Sequence, residues 1–221
     1  MKTWKERQTF FDREVDLYPV VSSPFCAGRS VTEVLEGIAA GGAKIVQIRE
    51  KDMSGQKLFE LVTACKHITD RAGMLLIVDD HTDVALAADA DGVHLGQDDL
   101  PVAAAKKIAP ELFIGNSTHN LPEAFSALEQ GADCINIGPI YPTQTKQVNC
   151  GAVGLPMIAE VSSKIPLPFT VMGGIKIHRF KELLEAGAKV LAMVTEITTA
   201  PDVCAKVREL REEYARCRNN G

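Results

Sequence analysis

Short apolar runs alternate with longer amphipathic stretches from Leu17 onward, and that alternation predicts the architecture before any single side chain is considered. Runs at 17–21, 44–48, 75–78, 92–95, 112–115, 133–137, 169–172 and 190–194 are four or five residues long. They are rich in branched side chains, as strands buried on both faces are. The stretches between them space their apolar residues at helical intervals. The segment behind Ser54, for example, places Leu58, Leu61, Val62, Cys65 and Ile68 on one stripe before it stops near Ala72. Ser30, Asn120 and Pro122 mark helix starts, and Gly41-Gly42 and Gly131 mark helix ends. Eight strand candidates, each followed by a helical one, predict a (β/α)8 barrel. The segment 1–16, with Trp4, Phe10 and Phe11, reads as a short N-terminal helical arm that covers the barrel floor or a subunit interface, or simply packs. The core spans 17–200, a last helix spans 201–218, and the tail 219–221 is expected to be disordered, all within a single domain.

Consecutive strands of such a barrel end on one rim, where ligands bind. The chemistry collects there. The run 75–78 closes on Asp79-Asp80 and the run 92–95 on Gly96-Gln-Asp-Asp99, so carboxylates stand at two neighbouring strand ends. A hard divalent cation such as Mg²⁺ is their usual guest, and Asp80 and Asp99 are the expected ligands; for any one Asp taken alone, a helix cap is the commoner role. Strand alternation points Gln47, Arg49 and Lys51 to one side, a donor set suited to a polyanion. The stretch 138–146, rich in Pro and Thr, reads as a loop over the mouth. Thr143, Thr145 and Lys146 at its tip suit a phosphorylated ligand. Gly173-Gly174 and the turn at 195–197 supply backbone approaches of the kind that hold phosphate. His119, behind Asn116-Ser-Thr, reads as a loop hydrogen-bonder sooner than as a proton carrier.

Charge and cysteine content narrow the partners. A net charge of −5 without a basic stripe argues against nucleic acid. No segment has the length of a membrane span or the apolar core of a signal peptide. Six dispersed cysteines (Cys26, Cys65, Cys134, Cys150, Cys204, Cys217) form no C-x-x-C pair. A cytoplasmic protein acting on small molecules is expected, and homo-oligomerisation stays open.

Gln47-Ile-Arg-Glu-Lys51, Asp79-Asp80, Gly92-Val-His-Leu-Gly-Gln-Asp-Asp99, Gly138-Pro-Ile-Tyr-Pro-Thr-Gln-Thr-Lys146 and Gly173-Gly174 together resemble thiamine-phosphate synthase across 18–197. The resemblance implies a TIM barrel and an Mg²⁺-dependent transferase. That enzyme joins 4-amino-2-methyl-5-pyrimidinylmethyl diphosphate to 4-methyl-5-(2-phosphoethyl)thiazole, giving thiamine phosphate and pyrophosphate by dissociative substitution. It further implies that Gln47, Arg49 and Lys51 hold the diphosphate with Asp79 beside them, and that Asp80 and Asp99 bind Mg²⁺. Ser117, Thr143, Thr145 and Lys146 would contact phosphates or the departing pyrophosphate, with Arg49, Lys51, Ser117 and Lys146 as the catalytic set. Gly174, Val194 and Thr195 would cradle the thiazole phosphate. Two positions depart from the pattern. Asp79 stands where the family usually has Asn, and Glu196 follows Thr195 where a small residue is usual. Rival readings are a thiazole tautomerase-like paralogue, which lacks the complete diphosphate and metal set, and a non-catalytic barrel binding thiazole or thiamine phosphate. A phosphosugar isomerase is weaker, since no catalytic Glu or Lys stands at the required strand ends.

Overall fold

The computed structural model describes residues 2–143, 145 and 151–219. Eight parallel strands pair in chain order and the eighth pairs with the first, closing a barrel. They are β1 (Leu17–Val21), β2 (Ile45–Ile48), β3 (Leu75–Asp79), β4 (Gly92–Leu95), β5 (Phe113–Thr118), β6 (Cys134–Ile137), β7 (Phe169–Val171) and β8 (Val190–Met193). The ring of helices comprises α2 (Val31–Ala40), α3 (Gly55–Ala72), α4 (Thr82–Ala87), α5 (Val102–Ile108), α6 (Leu121–Glu129), α7 (Gly154–Lys164), α8 (Phe180–Glu185), α9 (Thr195–Thr198) and α10 (Val203–Asn219), with α1 (Trp4–Glu14) ahead of the barrel.

The continuous apolar runs are explained by two cores separated by one strand thickness. Outward residues such as Val46, Ile48, Leu76, Val78, Val93 and Leu95 pack with the helices in the larger cluster. Inward residues Tyr18, Val20, Ile45, Leu75, Ile77, Phe113 and Cys134 fill the barrel itself. Because both faces are buried, the strands show no polar alternation until their carboxyl ends.

Of the roles open to the arm, the structure shows the floor. Phe11 of α1 is fully buried, its ring 5.0 Å from that of Phe113 and 6.5 Å from that of Tyr18. Two buried aspartates tie the helix down. Trp4 Nε1 and Gln8 Nε2 each donate to Asp133 Oδ1 at 2.9 Å, and Arg7 Nε donates to Asp91 Oδ1 at 3.1 Å. The other oxygens of these carboxylates accept strand amides, Asp133 from Ile114 and Asp91 from Leu76. Arg7 also donates to the Glu111 carbonyl at 2.6 Å. Removing one member of a buried charge pair leaves the other uncompensated, so Arg7→Ala should destabilise the protein by about 3 kcal/mol. Denaturant unfolding checks this; an unchanged midpoint would show that Lys66, 3.4 Å from Asp91, suffices alone.

Several strand ends differ from expectation by one residue, the last helix starts at Val203 instead of 201, and three further differences change an element's extent or kind. β5 continues through Asn116, Ser117 and Thr118, because these pair with Ile135, Asn136 and Ile137 of β6. The turn after β8 is the one-turn helix α9, with Val194 at its N-cap position. Asn219, expected in the disordered tail, ends α10, while 220–221 lie outside the described residues.

Candidate active site

The carboxyl ends of the strands turn the barrel interior from apolar to polar over one layer. Gln47 of β2, Asp79 of β3, His94 of β4, Ser117 of β5 and Asn136 of β6 all line one cavity at the mouth. Each stands at an inward position above an apolar inward neighbour or a glycine. A second cavity adjoins it, reached by Thr143, Thr145 and Gly173. The two share Ser117, Asn136, Thr145 and Met172 as a common wall.

Charge in the first cavity is arranged around Asp79. Its Oδ1 accepts from Gln47 Nε2 at 2.5 Å, and its Oδ2 lies 3.4 Å from Arg49 Nε and 3.1 Å from Lys51 Nζ. That oxygen is buried, and the two cations compensate its charge as ion-pair partners. Lys51 also bonds Asp80 directly. Burial alone would lower the Lys51 pKa, but Asp79 and Asp80 outweigh it and hold the ammonium above its ordinary value. Glu50, between the two cations in sequence, faces the other way and accepts from Ser23 N and Oγ, both at 2.7 Å.

Asp80 has φ +62°, a left-handed conformation that costs a non-glycine residue about 1–3 kcal/mol. Two backbone bonds hold it there: Asp80 N–H donates to the His94 carbonyl at 2.8 Å and His81 N–H to the Asp79 carbonyl at 2.7 Å. The reversal turns Asp80 out of the strand line toward Asp99. Asp99 Oδ2 accepts from Gly96 N at 2.6 Å. Burial raises the Asp99 carboxyl pKa, and its hydrogen bond with Asp80 raises it further, against the opposing pull of the Gly96 amide and Lys51. Two carboxyl groups that near one another, with oxygen-only chemistry, fit a hard divalent cation. Among the described residues, no group of three or more His, Cys, Asp or Glu side chains gathers around one point. The two carboxyl groups in contact are those of Asp80 and Asp99.

On the far side of the mouth, Thr143 Oγ1 and Thr145 Oγ1 are 3.0 Å apart. Lys146 lies outside the described residues. The segment leading to these threonines is pinned to β7's extension: Ile140 N–H donates to the Met172 carbonyl at 2.8 Å and Tyr141 N–H to the Gly173 carbonyl at 3.0 Å. The glycine pair is what permits this approach. A Cβ on Gly173 would stand 2.5 Å from Pro139 Cβ, and one on Gly174 2.8 Å from Tyr141 Cβ. Val194 lines the first cavity and Thr195 begins α9 behind it. His119 is engaged by Glu123, with Nδ1 2.8 Å from its Oε2, in keeping with a loop role.

Asn136, His94 and Met172 line the site without having been expected there as individual residues. The available signal was a polar residue at an inward position of an otherwise apolar strand, as Asn136 is between Ile135 and Ile137.

The model of the thiamine monophosphate synthase family matches residues 17–197. The chain belongs to that family. It is 42% identical over 200 residues to the thiamine-phosphate synthase of Lawsonia intracellularis, covering 90% of this chain and 92% of the relative. It is 43% identical over 195 residues to that of Shouchella clausii, covering 88% and 93%. The structure of thiamine phosphate pyrophosphorylase from Pyrococcus furiosus superposes with a TM-score of 0.85 at 32% identity, covering 92% of this chain and 96% of that one. Against the family pattern, both departures are locally compensated. Asp79 has Gln47, Arg49 and Lys51 around it. Glu196 lines a groove together with Thr195, where Lys176 and Lys206 lie 2.9 and 3.3 Å away. Burial would raise the Glu196 pKa, but these two ammonium groups outweigh it and the net shift is downward.

Proposed function

We propose that this chain is a thiamine-phosphate synthase, a transferase that joins the aminopyrimidine diphosphate to the thiazole phosphate and releases pyrophosphate. The observation that carries the reading is the pair of adjoining cavities with a common wall, one lined by Gln47, Arg49 and Asp79, with Lys51 bridging Asp79 to Asp80 beside it, and the other by hydroxyls and a glycine turn. Two substrates bound on either side of Ser117 and Asn136 would meet at that wall. Retention of Arg49, Lys51, Asp80 and Asp99 in one cluster favours the synthase over a tautomerase, which needs no diphosphate site.

In the reaction the bond between the pyrimidine methylene carbon and the diphosphate oxygen breaks, and its electron pair leaves with pyrophosphate. The thiazole nitrogen then gives its lone pair to that carbon. Arg49 and Lys51 take up the charge that grows on the departing oxygen, in a half-buried site where such contacts are stronger than in water. Gln47 orients the bound diphosphate from below, and Ser117 donates to it from the wall. Thr143 and Thr145 bond the phosphate oxygens from the second side, helping to exclude water that would otherwise capture the carbocation. The family resemblance gives Gly174, Val194 and Thr195 to the thiazole phosphate, Val194 from the lining of the first cavity and Thr195 from the groove beside α10. Asp80 and Asp99 would hold Mg²⁺, whose contribution is neutralisation of the diphosphate.

Purified protein given both substrates and Mg²⁺ is expected to release thiamine phosphate and pyrophosphate in equal amounts, and a chelator should stop it. Thiazole phosphate binding without turnover would instead indicate a binding protein. Asp79→Asn keeps an oxygen for Gln47 and removes the charge that competes for Arg49 and Lys51. Its kcat/KM should match or exceed wild type by up to about fivefold, near 1 kcal/mol. A tenfold loss would give Asp79 a role of its own. A cytoplasmic setting is supported by five unpaired thiols among the described residues, Cys26, Cys65, Cys134, Cys204 and Cys217, and by the lack there of a helix long and apolar enough to cross a membrane.

A further inference from the structure

Ser117 is held from two directions by β4 and the turn that follows it. Gln97 Nε2 donates to its carbonyl at 2.5 Å, and His94 Nε2 lies 2.9 Å from its Oγ. The second contact depends on a glycine one strand away. His94 pairs in register with Gly115, where a Cβ would stand 2.5 Å from His94 Nδ1 and 3.2 Å from Cys134 Sγ. The imidazole therefore lies across bare backbone and reaches the next inward position of β5, which is Ser117. His94 is only 8% exposed, and the exposed part faces the first cavity.

We propose that His94 is a positioning residue for the condensation: it donates from Nε2 to Ser117 Oγ and so directs the one hydroxyl proton of Ser117 at the departing diphosphate oxygen. The inference rests on the synthase reading. A serine hydroxyl has one proton and two lone pairs. An imidazole that took the proton would leave Ser117 facing an anion with lone pairs alone. An imidazole that gives a hydrogen bond leaves it facing the anion with a donor. No proton changes owner in this step; the electrons of the broken carbon–oxygen bond go to the diphosphate, and the Ser117 hydrogen bond shortens onto them. Since that charge develops only as the bond breaks, the contact strengthens toward the transition state and acts on kcat more than on KM.

The test compares wild type, His94→Leu, His94→Gln, Ser117→Ala and the double variants in single-turnover assays with both substrates and Mg²⁺. His94→Leu and Ser117→Ala should each lower the rate about 10- to 100-fold, with KM for the thiazole phosphate within about twofold of wild type. Their double variant should be no slower than about twofold below the slower single, because both remove the same donor. His94→Gln, whose terminal amide reaches about as far as Nε2, should recover at least tenfold over His94→Leu. Losses that multiply, a Gln variant no better than Leu, or an effect confined to KM would overturn the proposal and leave His94 a packing residue over Gly115. Should His94→Leu fail to fold in a thermal melt, His94→Gln decides, since it must then be silent in the Ser117→Ala background. Absence of turnover in wild type would overturn the synthase reading itself, whereas active wild type with unimpaired, folded His94→Leu overturns only this inference.

Discussion

Asp99→Asn is expected to lower turnover on the order of 10²–10³-fold at fixed Mg²⁺ while leaving the fold intact. The asparagine amide keeps an oxygen for the Gly96 N–H that Asp99 Oδ2 accepts at 2.6 Å, so the turn after β4 survives and only the charge is lost. That charge matters because Asp99 faces Asp80. Burial and the hydrogen bond with Asp80 raise its pKa, and a cation between the two is what would hold both ionised. With one carboxylate gone, Mg²⁺ activation should shift to higher concentration as well as to a lower plateau. Initial rates across a Mg²⁺ titration, beside a thermal melt, measure both. Wild-type rates in a folded Asp99→Asn variant would remove Asp99 from the metal site.

Gly173→Ala should be the more damaging change to structure. Gly173 has φ +102°, where an L side chain is strained by about 1–3 kcal/mol, and the added Cβ would lie 2.5 Å from Pro139 Cβ and 2.6 Å from its Cα. Those atoms belong to backbone and ring and have no rotamer to retreat into. Relief must come from moving the segment after β6, whose Ile140 and Tyr141 amides bond the Met172 and Gly173 carbonyls. A total cost of about 3 kcal/mol lowers the melting temperature by roughly 6–12 °C for a chain of this size. Activity should fall further than stability explains, because Thr143 and Thr145 follow that segment. A variant that melts and turns over like wild type would show that the loop yields without cost.

The order of elements was legible because each is encoded locally. Apolar runs at 75–78 and 92–95 fit buried strands, helical spacing behind Ser54 fits an amphipathic face, and the acidic pairs at the strand ends share a rim once the strands are parallel. The motif residues were legible for the same reason: spacing by two puts Gln47 and Arg49 on one side of one strand, and both line the mouth. What local pattern does not contain is register between strands and the direction a side chain takes after its backbone turns. Closure of the barrel placed His94 beside Gly115 and within reach of Ser117, and carried β5 three residues past its apolar run. The left-handed turn at Asp80 separated two adjacent aspartates into one that gathers Gln47 and Arg49 and one that meets Asp99, with Lys51 bridging the two. Glu196 lines one groove with its neighbour Thr195 in the single turn of α9, and Lys176 and Lys206 from two other segments pair with it there. Strand identity is set by residues a few positions apart. The charge balance of the site is set by groups on different elements, such as Arg49 and Lys51 with Asp79 and Asp80, which only the folded barrel brings together.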